Sequence, residues 1–116
     1  MGVDEALLAT AAAGGPPTVR LYGWEGPWLS LGYAQRATDE RAAACHGAGA
    51  GMVRRVTGGR AVLHGQDLTY AVAASEASLP HGLRETYALL AEAIGAGLAR
   101  LGVSAQRAPA RHGDGA

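Results

Sequence analysis

Lysine is absent from this 116-residue chain, and so is phenylalanine. All ten basic residues are arginine, ten acids balance them, and the formal net charge is +0. That balance gives no footprint for a polyanion, and no helix-turn-helix pattern is present, so nucleic acid is not expected as a partner. The lone cysteine, Cys45, excludes an internal disulfide framework and suits a reducing compartment, which points to the cytoplasm. No apolar run approaches the roughly 18 residues of a membrane span, and no charged-then-apolar leader is seen; neither membrane nor signal peptide is expected. Cys45, His46, His64, His81 and His112 show no zinc spacing, so no metal site is expected. What remains is 48% apolar, too much for a chain disordered by composition, and enough for one domain with a modest core. The abundance of Ala, Gly and Arg fits a GC-rich coding bias.

Along the chain, residues 4–13 read as a helix with acids in its first turn, stopped by Gly14-Gly15-Pro16-Pro17. Residues 18–24 alternate Val19 and Leu21 against Arg20, Tyr22 and Trp24, a strand pattern. Gly26-Pro27 is a turn, and residues 28–33 form a second strand, expected to pair with the first as a hairpin. Trp24, Trp28 and Tyr33 read as core or rim packing. Asp39 is the expected cap of a helix reaching His46. Cys45 sits in its alanine run as a small buried hydrophobe, not a nucleophile. A glycine-rich connector leads to a strand at residues 52–55, another follows at 60–64, and Leu68, Tyr70 and Val72 mark one face of a third. Leu83, Tyr87, Leu90, Ile94, Leu98 and Leu101 recur at helical spacing, and their stripe is expected to cover the sheet face. Gly95 and Gly97 inside that helix suggest close packing, and Gly102 ends it. Residues 103–105 read as the start of a further strand, and 106–116 as an unstructured tail.

The most informative stretch is 54–68. Thr57-Gly58-Gly59 is a turn whose glycines admit positive φ and close ligand approach. Its backbone N–H groups make an anion-binding concavity. Arg54, Arg55 and Arg60 bracket it with forked donors suited to carboxylate or phosphate, and His64 adds an imidazole. Taken by themselves these residues leave two readings open. One is a glycine hairpin with solvated arginines; the other is a cradle for an anionic acyl or phosphoryl group.

Arg54-Arg55-x-Thr57-Gly58-Gly59-Arg60-Ala61-Val62-Leu63-His64-Gly65, followed by Asp67-Leu68-Thr69-Tyr70-Ala71-Val72, resembles the substrate loop of the lipoate–protein ligase and octanoyltransferase family. Val3-Asp4-Glu5-Ala6-Leu7-Leu8 is similar to that family's first-helix signature. Trp24-x-x-Pro27-x-Leu29-Ser30-Leu31-Gly32-Tyr33-x-Gln35 is similar to its next block. The three blocks stand in the family's order and cover about residues 3–105. The resemblance implies an α/β (α+β) fold: a mixed, mostly antiparallel sheet packed by helices, as in biotin/lipoate ligase catalytic domains of class II synthetase type. Residues 1–105 would be part of such a domain.

The implied reaction attaches a lipoyl or octanoyl group to a lysine of lipoyl-acceptor domains, as on dehydrogenase E2 subunits and the glycine cleavage H protein. Ligases use ATP with magnesium and pass through an acyl-adenylate. Octanoyltransferases need no cofactor and move the group from acyl carrier protein through a cysteine thioester. By resemblance Arg54 and Arg55 would hold the phosphate or acyl carbonyl. Thr57, Gly58 and Gly59 would present backbone donors, and Arg60, Ala61, Val62, Leu63 and His64 would complete the ligand wall. Gln35 would border the pocket, and Leu31, Val62 and Leu63 would touch the acyl chain. Arg60 replaces a glycine common in ligases, which tilts the match to the cysteine-dependent transferases. The family's catalytic lysine and cysteine fall outside the matched blocks, so no catalytic residue is assigned and activity of the chain alone is not expected. A separately encoded C-terminal half is one partner this implies; a non-catalytic lipoate- or octanoate-binding or carrier-docking remnant is the alternative.

Overall fold

The computed structural model describes residues 1–109. They form two compact units, Met1–Ser75 and a second beginning at Glu76. The first carries α1 (Gly2–Ala12), β1 (Thr18–Tyr22), β2 (Trp28–Leu31), α2 (Asp39–Gly47), β3 (Gly51–Arg54), β4 (Val62–His64) and β5 (Thr69–Ala73). The second carries a 3-10 turn, Glu76–Ser78, and α3 (Leu83–Arg100). The mixed α/β class expected from the sequence is observed, with the strands divided between two sheets.

All three helices end alike. Gly14, Gly49 and Gly102 take φ of 89°, 66° and 79°. Each follows the helix's last residue-pair with the two crossed bonds of a Schellman motif, as in Val103 N–H to Leu98 O (2.9 Å) and Gly102 N–H to Ala99 O (3.0 Å). The start of α2 differs from expectation: Thr38, not Asp39, is the cap, its hydroxyl accepting from the Arg41 N–H. Asp39 is the first helical residue, where its charge still meets the positive end of the helix.

The expected hairpin between residues 18–24 and 28–33 does not form. β1 pairs antiparallel with β5, Leu21 opposite Tyr70. β2 is the middle strand of the other sheet, parallel to β3 and antiparallel to β4. Ser30 and Leu31 on β2 are the most deeply buried side chains of the chain's described part. A strand so enclosed needs ladder partners on both edges, and β3 and β4 fill them, which leaves β1 to find β5. The parallel pair β2–β3 requires a crossover, supplied by α2, which lies against β3. β1 also turns its apolar residues outward: Val19 and Leu21 are exposed, while Arg20 and Tyr22 face α1 and hydrogen-bond Asp4.

In the second unit α3 forms over the expected span, yet none of its residues is buried; Leu90, Ile94 and Leu98 are half-buried, and Leu83, Tyr87 and Leu101 are exposed. A methyl group added at Gly95 or Gly97 would meet nothing within 4 Å, so neither glycine serves close packing. Residues 103–105 form no strand. Of the expected tail, 106–109 carry no regular structure and 110–116, with His112, lie outside the described residues. No helix among the described residues is long and apolar enough to cross a membrane.

Among the described residues buried apolar side chains are few: Ala11, Leu31, Cys45 and Ala73. Four of the five strands are sheet edges among the described residues, since β2 alone is paired on both sides. Unpaired edges beside exposed Val19, Leu21, Leu63 and Tyr70 invite association. The isolated chain is therefore expected to self-associate and to melt at a concentration-dependent temperature. Sedimentation velocity with parallel thermal melts tests this; a sharp, concentration-independent melt of a monomer would contradict it.

Candidate functional site

The site is built where β2 ends. The Arg55 N–H extends the β2–β3 ladder to the Leu31 carbonyl (2.8 Å), and the Tyr33 N–H reaches the Thr57 carbonyl (2.9 Å). The Gln35 side chain closes the corner by accepting from the Gly32 N–H (3.0 Å). These bonds seat the 57–59 turn directly on Gly32. A Cβ at position 32 would lie 1.9 Å from the Gly59 carbonyl oxygen, so only glycine admits the loop there. Gly59 itself has φ of 95°, a conformation that L side chains adopt at a strain cost. The turn is not a hairpin, because β3 and β4 lie on opposite sides of β2.

The two adjacent arginines, Arg54 exposed and Arg55 half-buried, brace this corner. Nη1 of Arg54 donates to the carbonyls of Gly32, Tyr33 and Gln35. Arg55 uses both terminal nitrogens. Nη1 reaches the Ser30 carbonyl (3.0 Å) and hydroxyl (2.7 Å), while Nη2 reaches the carbonyls of Gly58 (3.0 Å) and Arg60 (2.9 Å). In a planar trans peptide the N–H opposes the preceding carbonyl. Carbonyls of Gly58 and Arg60 drawn onto Arg55 therefore turn the N–H groups of Gly59 and Ala61 away from it. Gly58, Gly59 and Arg60 are exposed, so the outward side of the turn is accessible.

His64 at the end of β4 is buried and bonded through both ring nitrogens. Nε2 lies 2.7 Å from the Ser30 hydroxyl, and Nδ1 lies 2.7 Å from Asp67 Oδ2. Trp24 stacks on the imidazole at 4.1 Å and 16°, and its indole N–H donates to the Thr69 hydroxyl (2.9 Å). Thr69 in turn donates to Asp67 Oδ2 (3.0 Å), and Gly65 N–H to Oδ1 (2.9 Å). Hydrogen bonds from His64 first, then from the Gly65 backbone, hold the Asp67 carboxyl well below the usual carboxylate range.

Ser30, His64 and Asp67 have the spacing of a nucleophilic triad, but the arrangement cannot act as one. The serine is 0% exposed, and its oxygen already accepts from Arg55. A nucleophile needs access to its substrate. Cys45, buried on α2, is equally out of reach. Among the described residues no group of three or more His, Cys, Asp or Glu is placed to hold a metal.

Of the residues singled out from the sequence, 54, 55 and 57–61 share this corner, and Val62, Leu63 and His64 continue from it into β4. Leu31, expected on the acyl chain, is 1% exposed and offers no surface to a ligand. Val62 and Leu63 are exposed, and Trp24, Trp28, Tyr22 and Val53 line a nearby groove of about 320 Å³. A shallower groove of about 680 Å³ runs past Tyr33, Gln35, Arg36 and Arg54. Gly32, Ser30 and Asp67 were missing from the expected set. Two signals for them exist: a serine inside an apolar strand, and an aspartate three residues after a histidine across a glycine.

Two outcomes are expected. Gly32→Ala should cost about 1–3 kcal/mol by displacing the loop. It would be read as a lower urea midpoint with amide shifts concentrated at 57–59; unchanged shifts there would refute the close contact. Asp67 binds its proton more weakly when folded than when unfolded, so its ionised form favours folding. That contribution is complete above the ordinary carboxylate value of about 4 and is lost as pH falls through it toward the folded value. The gap in urea midpoint between wild type and Asp67→Asn should be constant near neutrality and narrow in acid; a gap that widens in acid would reverse the assignment.

The family model described as the lipoyl protein ligase A/B catalytic domain matches residues 1–114. The chain is 47% identical over 109 residues to octanoyltransferase LipM of Kyrpidia tusciae, covering 90% of this chain and 40% of that protein. It is 44% identical over 117 residues to octanoyltransferase LipM of Moorella thermoacetica, covering 97% and 43%. Against octanoyltransferase LipM of Brevibacillus brevis it is 44% identical over 110 residues, covering 91% and 40%. The chain thus spans about 40% of the length of the curated relatives it matches. No solved structure gives a significant match.

Proposed function

This chain belongs to the lipoyl protein ligase A/B catalytic domain family, and from that membership we propose that it serves octanoyl transfer to protein. In this reading the 57–61 loop binds the carbonyl head of an octanoyl or lipoyl group on its way to a lysine of a lipoyl-acceptor domain. The observation that carries the reading is the capture of the Gly58 and Arg60 carbonyls by Arg55, which leaves the Gly59 and Ala61 N–H groups on the side of their peptides away from that guanidinium. Acyl transfer builds negative charge on the carbonyl oxygen, and fixed donors that need no reorganisation stabilise it. The Arg55 cation beneath the same peptides polarises them further.

The relatives' names favour the transferase over the ligase, so the acyl donor is acyl carrier protein and no ATP or magnesium is required. Arg60, where ligases commonly have glycine, agrees with that choice. Acceptors are the lipoyl domains of dehydrogenase E2 subunits and the glycine cleavage H protein, in the cytoplasm. Arg55 acts as the frame of the cradle rather than as a direct anion ligand, because both its terminal nitrogens already hold backbone carbonyls, and Arg54 braces the same corner through Nη1. Arg54, Arg55, Thr57, Gly58, Gly59, Arg60, Ala61, Val62, Leu63 and His64 remain the proposed site, the first two by support and the rest by lining.

The chain contains no lysine and its one thiol is buried, so the transferring cysteine and its lysine partner come from other residues of the catalytic domain. The same two facts favour the second reading, a chain that holds the acyl group without turning it over. The two separate in one experiment. The chain is mixed with the remaining part of a LipM relative, octanoyl-acyl carrier protein and a lipoyl domain, and acceptor mass is followed. Octanoylated acceptor is expected from the pair and not from either part, and Gly59→Val should reduce it about 100-fold by misplacing a donor. Absence of product with the wild-type pair, alongside octanoate binding by calorimetry, would leave the holding role.

A further inference from the structure

Arg55 organises the loop, and something must organise Arg55. Its guanidinium is rigid and planar, so fixing one edge fixes the other. The inner edge is held by Ser30, whose hydroxyl has no solvent to turn to. An arginine can only donate, so the Ser30 oxygen accepts from Nη1. The serine hydrogen is then directed at His64 Nε2, 2.7 Å away. Nε2 must be unprotonated to accept it, which puts the ring hydrogen on Nδ1, facing Asp67 Oδ2 at 2.7 Å. With Asp67 ionised and the imidazole neutral, every donor and acceptor in the series has one assignment, and donation runs in one direction from the cation to the carboxylate.

We propose that Ser30, His64 and Asp67 are positioning residues, a hydrogen-bonded relay that holds Arg55 in the one orientation that turns the Gly58 and Arg60 carbonyls inward. The proposal rests on the reading of the 57–61 loop as an acyl-head cradle and says what sets its shape. Trp24 covers the imidazole face, and its indole N–H bonds the Thr69 hydroxyl that completes the shell around Asp67. The relay thus reaches from the partly exposed carboxylate, 41% exposed, to a fully buried serine and out again to the loop. It resembles a hydrolase triad in spacing but is inverted in use: the serine faces a guanidinium, and the output is the position of a charge.

The test uses the chain labelled with 15N. At neutral pH, long-range proton–nitrogen correlations should show His64 protonated at Nδ1 with Nε2 as a bare acceptor. Arg55 should give resolved, slowly rotating Nη signals. Asp67→Asn should populate the other tautomer, broaden the Arg55 Nη signals and shift the Gly59 and Ala61 amides. Asp67→Glu should restore at least part of each change, which a general loss of packing would not allow. Octanoate, used as the probe, should bind Asp67→Asn about tenfold more weakly than wild type. A proton on Nε2 in the wild type overturns the relay without any variant, as does an Asp67→Asn protein with unchanged tautomer and Arg55 signals. Wild-type chain that shows the predicted tautomer and Arg55 signals but binds no octanoate supports the relay and defeats the acyl-head reading instead.

Discussion

One guanidinium stands between the interior of this protein and its glycine turn. Arg55 bonds Ser30 on one side and the Gly58 and Arg60 carbonyls on the other, so the middle strand and the loop share a single rigid linker. A loop of two glycines and exposed neighbours would otherwise sample many shapes, at a conformational cost of about 1–2 kcal/mol per residue when any one is selected. Arginine lowers that cost by offering several fixed donors in one plane, which a lysine at the same place could not do. The absence of lysine from the chain leaves that frame intact: every cation at the corner is an arginine.

Much of this corner was legible in the sequence because its determinants are local. Consecutive glycines next to paired arginines announce a turn with donors around it, and the glycines at 14 and 102, read as helix stops, adopt the positive φ of such caps. What escaped depended on distant neighbours. The pairing of β1 with β5 joins residues about fifty apart, and no alternation within either strand encodes it. Val19 and Leu21 look like an inward face, yet Asp4 on α1 draws Arg20 and Tyr22 inward instead. The place of Leu31 in its sequence block suggests a ligand contact, whereas burial at the centre of a three-stranded sheet decides its role. Ser30 escaped for the same reason: its partners lie 25 and 34 residues away.

The small core bears on how the site works. With Ala11, Leu31, Cys45 and Ala73 as the buried apolar set, hydrophobic burial alone holds little of the first unit together. Among the described residues no buried side-chain nitrogen or oxygen lacks a hydrogen-bond partner. Such networks are stiff when complete and fail sharply when one member is lost, because a buried donor or acceptor left alone costs about 1–3 kcal/mol. The site's order and the unit's stability are therefore coupled through the same atoms.

That coupling explains why a serine–histidine–aspartate series can lie at the heart of this fold without performing a nucleophilic attack. Chemistry at a hydroxyl needs the oxygen to be reachable. Here solvent is excluded from Ser30, and a permanent cation is bonded to the oxygen. Direction matters as much as distance: donation that ends on a carboxylate and begins on a guanidinium carries no proton toward a substrate. The same three side chains, turned to face Arg55, convert hydrogen-bond order into geometric order. What they deliver at the surface is the aim of the Gly59 and Ala61 amides, the feature on which the proposed grip on an acyl oxygen depends.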